Sequence, residues 1–134
     1  MEMLRDLGEI IELRYMKARD NYLSNAHEAI RKNELRKASE LSWGAITQGI
    51  NFHAALSNFF IKNHEEFFDY AKKFSKEETG DENYYLMFVD LNTLHRNFYD
   101  EIIPDDTFPF FYEKVMSFIN KTEELIKIKE GKLK

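Results

Sequence analysis

Apolar positions recur along this chain at steps of three and four residues, the period of an α-helix with one covered face. Between Met3 and about Lys32, the line Leu4, Leu7, Ile11, Tyr15, Ala18, Tyr22, Ala26 and Ala29 keeps that spacing without a proline. A second line through Met3, Ile10, Met16, Leu23 and Ile30 widens the apolar face. Asn33 tolerates the left-handed conformation that ends helices, so the pattern predicts a stop at Lys32-Asn33 and a tight antiparallel hairpin. The next helix is expected over Arg36 to Ile61. Its stripe of Ala38, Ser42, Ala45, Gly49, His53, Leu56 and Phe60 is small in the middle and large at the ends, and Trp43, Ile46, Ile50, Ser57 and Ile61 form another beside it. Gly49 costs a helix interior about 1 kcal/mol relative to alanine, which predicts that a neighbouring backbone or ring fills the space of the missing side chain. Two apolar stripes need partners on two sides, so this helix is expected at the centre.

Asn63 is a predicted N-cap for a short third helix, with Glu65 and Glu66 suited to its positive end. That helix runs through Phe67, Phe68, Tyr70, Ala71 and Phe74 and finishes in the polar segment from Ser75 to Gly80. Asp81 is expected to cap a fourth helix striped by Tyr84, Phe88, Leu91, His95 and Phe98, ending near Ile102 before Pro104. Asp105, Asp106 and Thr107 offer caps for a last helix through Phe111, Val115, Phe118, Thr122 and Leu125 to about Lys129. The tail from Glu130 to Lys134 is expected to fray. No β-rich alternation, internal repeat or low-complexity linker interrupts the pattern. The fold class expected is all-α, an up-and-down bundle of about five helices in one domain over residues 1–134.

Composition narrows the function classes. At 134 residues the chain suits one domain, and 43% apolar with 32% charged residues describes a packed helical domain. Twelve Phe and seven Tyr are a large aromatic load for so small a core, which points some of them toward a pocket, a partner or the helix junctions, the competing reading being core packing with partly buried Tyr. The net charge of −5 gives no global field to attract phosphates, so nucleic acid is not the expected partner, although a local basic patch stays open. With no cysteine, disulfides and thiolate chemistry are excluded. The N-terminal segment is charged within two residues, has no uninterrupted apolar run, and reads as neither a signal peptide nor a membrane span; a cytoplasmic location is the simplest expectation. Tyr112, Met116, Ile119 and Ile126 give the last helix a second apolar line as well. More apolar surface than five helices can mutually cover predicts a homodimer.

Candidate chemistry is sparse. His27, His53, His64 and His95 show neither H-x-x-x-H nor E-x-x-H spacing, so no metal is expected. Ser39 and Ser42 have no local base, and no glycine-rich loop follows a strand, so neither nucleophilic catalysis nor a phosphate cradle is indicated and no cofactor is expected. Trp43 and His53 are candidate ligand contacts, each with a competing reading as a core residue: Trp43 as a packing anchor, His53 as a buried histidine donating to a backbone or hydroxyl group.

Two segments carry a family resemblance. Arg36-Lys37-Ala38-Ser39-Glu40-Leu41-Ser42-Trp43-Gly44-Ala45 resembles the "ASEKLWGA" signature of the archaeal PaREP proteins, and Leu94-His95-Arg96-Asn97-Phe98-Tyr99-Asp100 resembles their "LHxNFYE" signature, in the same order. The departures are Asn33 where glycine usually ends the first helix, Ser42 where leucine is common, and Asp100 for glutamate. The resemblance implies a fold close to the HEPN helical domains and no particular reaction. Ribonucleases of the HEPN group carry R-x(4–6)-H near a dimer axis, and Arg96-Asn97 matches its start. The positions that need histidine hold Glu101, Ile102 and Ile103, and a carboxylate there repels phosphate. His95, Arg96, Asn97 and Tyr99 are therefore candidate site residues whose alternative is structural. The function expected is a non-catalytic interaction or ligand-binding module with a protein or nucleotide partner, the rivals being a HEPN-type RNA endonuclease or toxin and a nucleotide-binding partner of a nucleotidyltransferase.

Overall fold

The structure, a computed structural model, describes residues 2–100 and 102–133, with the side chains of residues 2–8, 11, 98, 99 and 133 outside that description. Five helices account for its regular structure: α1 Glu2–Arg31, α2 Leu35–Ala55, α3 His64–Thr79, α4 Asn83–Asp100 and α5 Phe108–Leu133. Among the described residues there is no strand, so the all-α expectation holds.

Local chemistry explains most of the boundaries. Asn33 has φ 58°, Glu34 N–H donates to Ala29 O at 2.8 Å and Asn33 N–H to Ile30 O at 3.0 Å, the paired bonds of a Schellman stop. The same device recurs at Asn58, with φ 59°, Phe59 N–H on Ala54 O at 3.1 Å and Asn58 N–H on Ala55 O at 2.9 Å. It ends α2 at Ala55 rather than at Ile61, because a left-handed asparagine interrupts an apolar pattern that reads as continuous. Phe59 and Phe60 are consequently exposed. Asn63 accepts Glu66 N–H at 2.9 Å as the predicted N-cap of α3, and Gly80 at φ 80° closes that helix. Asp81 accepts Asn83 N–H at 2.9 Å at the start of α4. At the far end α5 continues to Leu133, so residues 130–133 are helical and the frayed tail is not seen. No proline or left-handed residue stops α5, and one interior glycine, Gly131, costs too little to do so.

Every other helix packs on α2. Gly44 lies under the Tyr22 ring of α1, where an added Cβ would sit 2.8 Å from the ring. The corresponding distance at Gly49 is 3.3 Å, to the Thr122 methyl of α5. A close neighbour therefore fills the space at Gly49 as expected, but it is a methyl group; the aromatic ring belongs to Gly44. Thr122 is held in place by donating to Phe118 O at 2.8 Å and accepting the Tyr84 hydroxyl at 2.5 Å.

The aromatic load is used in a row through the core. Trp43 stacks on Phe88 with centroids 5.1 Å apart, Phe88 lies 6.1 Å from Phe118, and Phe118 is 4.3 Å from Tyr84. Tyr84 is 5.0 Å from Phe74, which stacks on His53 at 4.2 Å. One end of this row is the first signature segment and the other is a cleft. Within the chain both stripes of α2 are largely covered, as are Ile119 and Ile126 of α5. Among the described residues of α1, Ile10 and Leu13 are exposed, 48% and 63% accessible, and Tyr22 is partly so.

Candidate functional site

The short α2 carries the chain into a cleft between its own C-terminal end, α3 and the last turns of α5. About 470 Å³ in volume, the cleft is lined by His53, Ser57 and Phe59 on the α2 side, by Tyr70, Phe74 and Glu78 of α3, and by Lys129 of α5. Tyr70, Phe74 and Glu78 are four residues apart, so one face of α3 presents hydroxyl, ring and carboxylate in line.

These groups form a hydrogen-bonded chain. Lys129 Nζ donates to His53 O at 2.7 Å and to Tyr70 Oη at 3.3 Å. An ammonium cannot accept, so the Tyr70 hydroxyl proton goes to His53 Nδ1, 2.5 Å away. His53 is then the Nε2–H tautomer, and that N–H donates to the Glu78 carboxylate, with Oε1 at 3.0 Å and Oε2 at 3.1 Å. The Tyr70 hydroxyl and the His53 Nε2–H each have an acceptor, and two of the three ammonium hydrogens of Lys129 do.

The environment sets the charges. His53 is 1% accessible, and burial, aided by the Lys129 ammonium, pushes its pKa down to about 3. The contact with Glu78 is thus a neutral imidazole N–H on a carboxylate and not an ion pair. Burial first, then Glu78 and Glu77, pushes the Tyr70 phenol up. Burial also raises Glu78, against the opposing pull of Lys129 and Lys132, and lowers Lys129, against the pull of Glu78. Four groups with shifted acidity around one cavity make the cleft a candidate functional site.

The signature residues occupy another place, where α2 meets α4. Asn97 Nδ2 donates to Ser39 Oγ at 3.0 Å, Ser39 donates to Leu35 O at 2.8 Å, and Asn97 Oδ1 accepts Ile103 N–H at 2.7 Å. Beside them His95 Nδ1 meets Glu40 Oε2 at 2.9 Å, with the Trp43 ring 6.0 Å from the imidazole. The two signatures are halves of one joint. Asn97 and Trp43 are buried, and their polar or ring surfaces are already used within the fold. Arg96 is exposed, and the side chain of Tyr99 lies outside the described residues. His95, Asn97 and Trp43 are thus brought together as an interhelical contact, while His53 stands apart from them in the cleft.

A broader hollow of about 700 Å³ lies at the start of α2, lined by Arg36, Lys37, Asn97 and Ile103 among others. Its one buried polar side chain, Asn97, has both ends of its carboxamide engaged in the joint. Among the described residues no group of His, Asp and Glu is arranged to hold a metal, and no helix is long and apolar enough to cross a membrane.

Sequence reasoning reached His53 but missed Tyr70, Glu78 and Lys129. The four-residue steps from Tyr70 to Glu78 were a legible signal, since they place two polar groups around Phe74 on a core-facing line. Nothing in the α5 pattern marks Lys129, whose partners lie on α2 and α3.

The model of the archaeal PaREP1/PaREP8 family matches residues 14–119. That span contains both signature segments together with His53, Tyr70 and Glu78, and it stops before Lys129. No curated protein and no solved structure matches the chain.

Proposed function

The chain belongs to the archaeal PaREP1/PaREP8 family, and we propose that it is a non-catalytic ligand-binding module whose small-molecule site is the cleft around His53, Tyr70, Glu78 and Lys129. The observation that carries this reading is the hydrogen-bonded chain itself: four polar groups converge on the wall of an open cavity, with the central histidine fully buried. A bundle core gains nothing in stability from burying such a chain in preference to apolar residues of similar size. Preformed, oriented donors and acceptors beside apolar rings are what recognition of a small polar ligand requires.

RNA cleavage is not part of this reading. Glu101, Ile102 and Ile103 stand where the R-x(4–6)-H pattern needs histidine, and His95 and Asn97 are engaged with Glu40, Ser39 and Ile103.

The test is a thermal-shift screen of small polar metabolites against the wild type and Ser57→Trp, which places an indole at the cleft mouth. A ligand at 100 times its Kd adds about 2.7 kcal/mol to stability. Ligands that raise the wild-type melting temperature should lose that effect in Ser57→Trp and keep it in Arg96→Ala. Shifts that survive Ser57→Trp would place binding elsewhere.

We also propose that a second copy of the chain covers the exposed Ile10 and Leu13 of α1, two large apolar residues three positions apart on one helix face and open to solvent. Light scattering at micromolar concentration is expected to give twice the 16.1 kDa chain mass and to fall toward one chain mass for Leu13→Glu. A single-chain mass that persists as the wild type is concentrated would sink this.

A further inference from the structure

Within the cleft, Lys129 has an arrangement that binding of a polar ligand does not by itself explain. A neutral lysine amine has two N–H bonds and one lone pair. Two protein acceptors face Lys129 Nζ, namely His53 O at 2.7 Å and Tyr70 Oη at 3.3 Å. Once the ammonium gives up a proton, both remaining hydrogens are held and the lone pair is the one valence the protein leaves open. The residue lines the cleft, so that lone pair has cavity beside it.

We propose that Lys129 captures the carbonyl group of an uncharged aldehyde or ketone bound in the cleft, as a reversible imine. The inference rests on the ligand-binding reading of the same cavity. Nitrogen attacks the carbonyl carbon, the C–N bond forms as the C=O π bond breaks, and one N–H proton moves to oxygen to give the carbinolamine. The hydroxyl then leaves as water with the second nitrogen proton, and the C=N bond forms. Amine and carbonyl go to imine and water, so no oxidant, reductant or further reactant is needed. Each proton must travel from nitrogen to oxygen, and Tyr70 Oη, in hydrogen-bond reach of Nζ and backed by His53 and Glu78, is the group placed to carry it. Burial of Lys129 favours its neutral amine over that of a surface lysine, which supports the same step.

The charge of the lining selects among carbonyl compounds. Glu66, Asp69, Glu77 and Glu78 face it with only Lys73 and Lys129 to balance them. A keto acid would enter against that excess of carboxylates, whereas a neutral aldehyde would not.

The test uses the full chain with butanal and cyanoborohydride, which reduces imines to stable alkylamines, and reads the sites by peptide mass spectrometry over time. Lys129 is expected to be alkylated about tenfold faster than the exposed Lys121 and Lys127, and faster by butanal than by glyoxylate. Tyr70→Phe, which keeps the ring between Phe59 and Phe74, is expected to slow Lys129 several-fold and leave the surface lysines unchanged. Lys129→Arg, which retains a donor for His53 O, should remove the adduct while the far-ultraviolet dichroism of the bundle is preserved. Labelling of Lys129 at the surface rate, or a Lys129 rate indifferent to Tyr70→Phe, would overturn the inference. If metabolites without a carbonyl still stabilise the wild type and not Ser57→Trp, only the imine step has failed; loss of that difference removes the cleft reading itself.

Discussion

Asn97→Ala is expected to lower the unfolding free energy by about 2–4 kcal/mol, although the residue is buried and stands apart from the cleft. Its carboxamide accepts Ile103 N–H at 2.7 Å and donates to Ser39 Oγ at 3.0 Å. Removing it orphans a backbone N–H in the protein interior, at about 1–3 kcal/mol, and deletes a neutral hydrogen bond worth about 1 kcal/mol more. Ser39 keeps its own acceptor, Leu35 O, so its hydroxyl proton is not stranded. The connection from α4 to α5 loses the bond that holds Ile103 against the core, and α2 loses one of its polar ties to α4, the His95–Glu40 contact remaining. Arg96→Ala, one residue away and exposed, should stay within about 0.5 kcal/mol of the wild type. Chemical unfolding of both variants decides the matter. Equal effects at the two positions would mean that the signature joint is not structural.

Gly49→Leu is the second large effect, about 1–3 kcal/mol and more if α5 cannot shift. A Cβ at position 49 would lie 3.3 Å from the Thr122 methyl, tight enough to require movement. Thr122 resists it, because its hydroxyl is bonded to both Phe118 O and the Tyr84 hydroxyl. Alanine is a useful intermediate. It gains about 1 kcal/mol of helix propensity over glycine, which offsets a small steric cost, so Gly49→Ala should be near neutral while leucine pushes α5 off α2. Thermal unfolding of the pair reads this directly, and a leucine variant that melts with the wild type would remove the close α2–α5 contact from the account.

These two positions show what a sequence can disclose about this bundle. The α2 stripe, with Gly49 among small residues, identified the central helix because small side chains let neighbouring helices come close, whereas a second apolar line, which α1 carries too, does not by itself mark a helix as central. Asn33 revealed the first hairpin through its tolerance of positive φ, but Asn58, which ends α2 by the same means, was masked by the apolar Leu56, Phe59 and Phe60 around it. The candidate site was read from one residue of four. His53 stood out as a polar group on a packing stripe, Tyr70 and Glu78 were marked only by their four-residue steps around Phe74, and Lys129 acquires its meaning when α5 closes on the end of α2. The signature segments drew attention to His95, Arg96 and Asn97 because they form a recognisable string, and the contacts from Ser39 and Glu40 show that much of this string serves to join two helices.

The cleft's chemistry depends on a neutral His53 bonded through both nitrogens, and this has a consequence for stability. The native pKa of about 3 lies below the value near 6.5 of an unfolded histidine. The unfolded chain therefore binds the extra proton between those values, and stability falls as pH drops through that range, by up to about 1.4 kcal/mol per pH unit. Glu78, whose native pKa is raised, opposes this just above pH 4.5. Nitrogen-15 spectra of the His53 imidazole, recorded from pH 8 down to pH 4, test the arrangement most directly. The structure predicts an Nε2–H tautomer that does not titrate across that range; an imidazole that protonates near pH 6.5, or one carrying its proton on Nδ1, would contradict it.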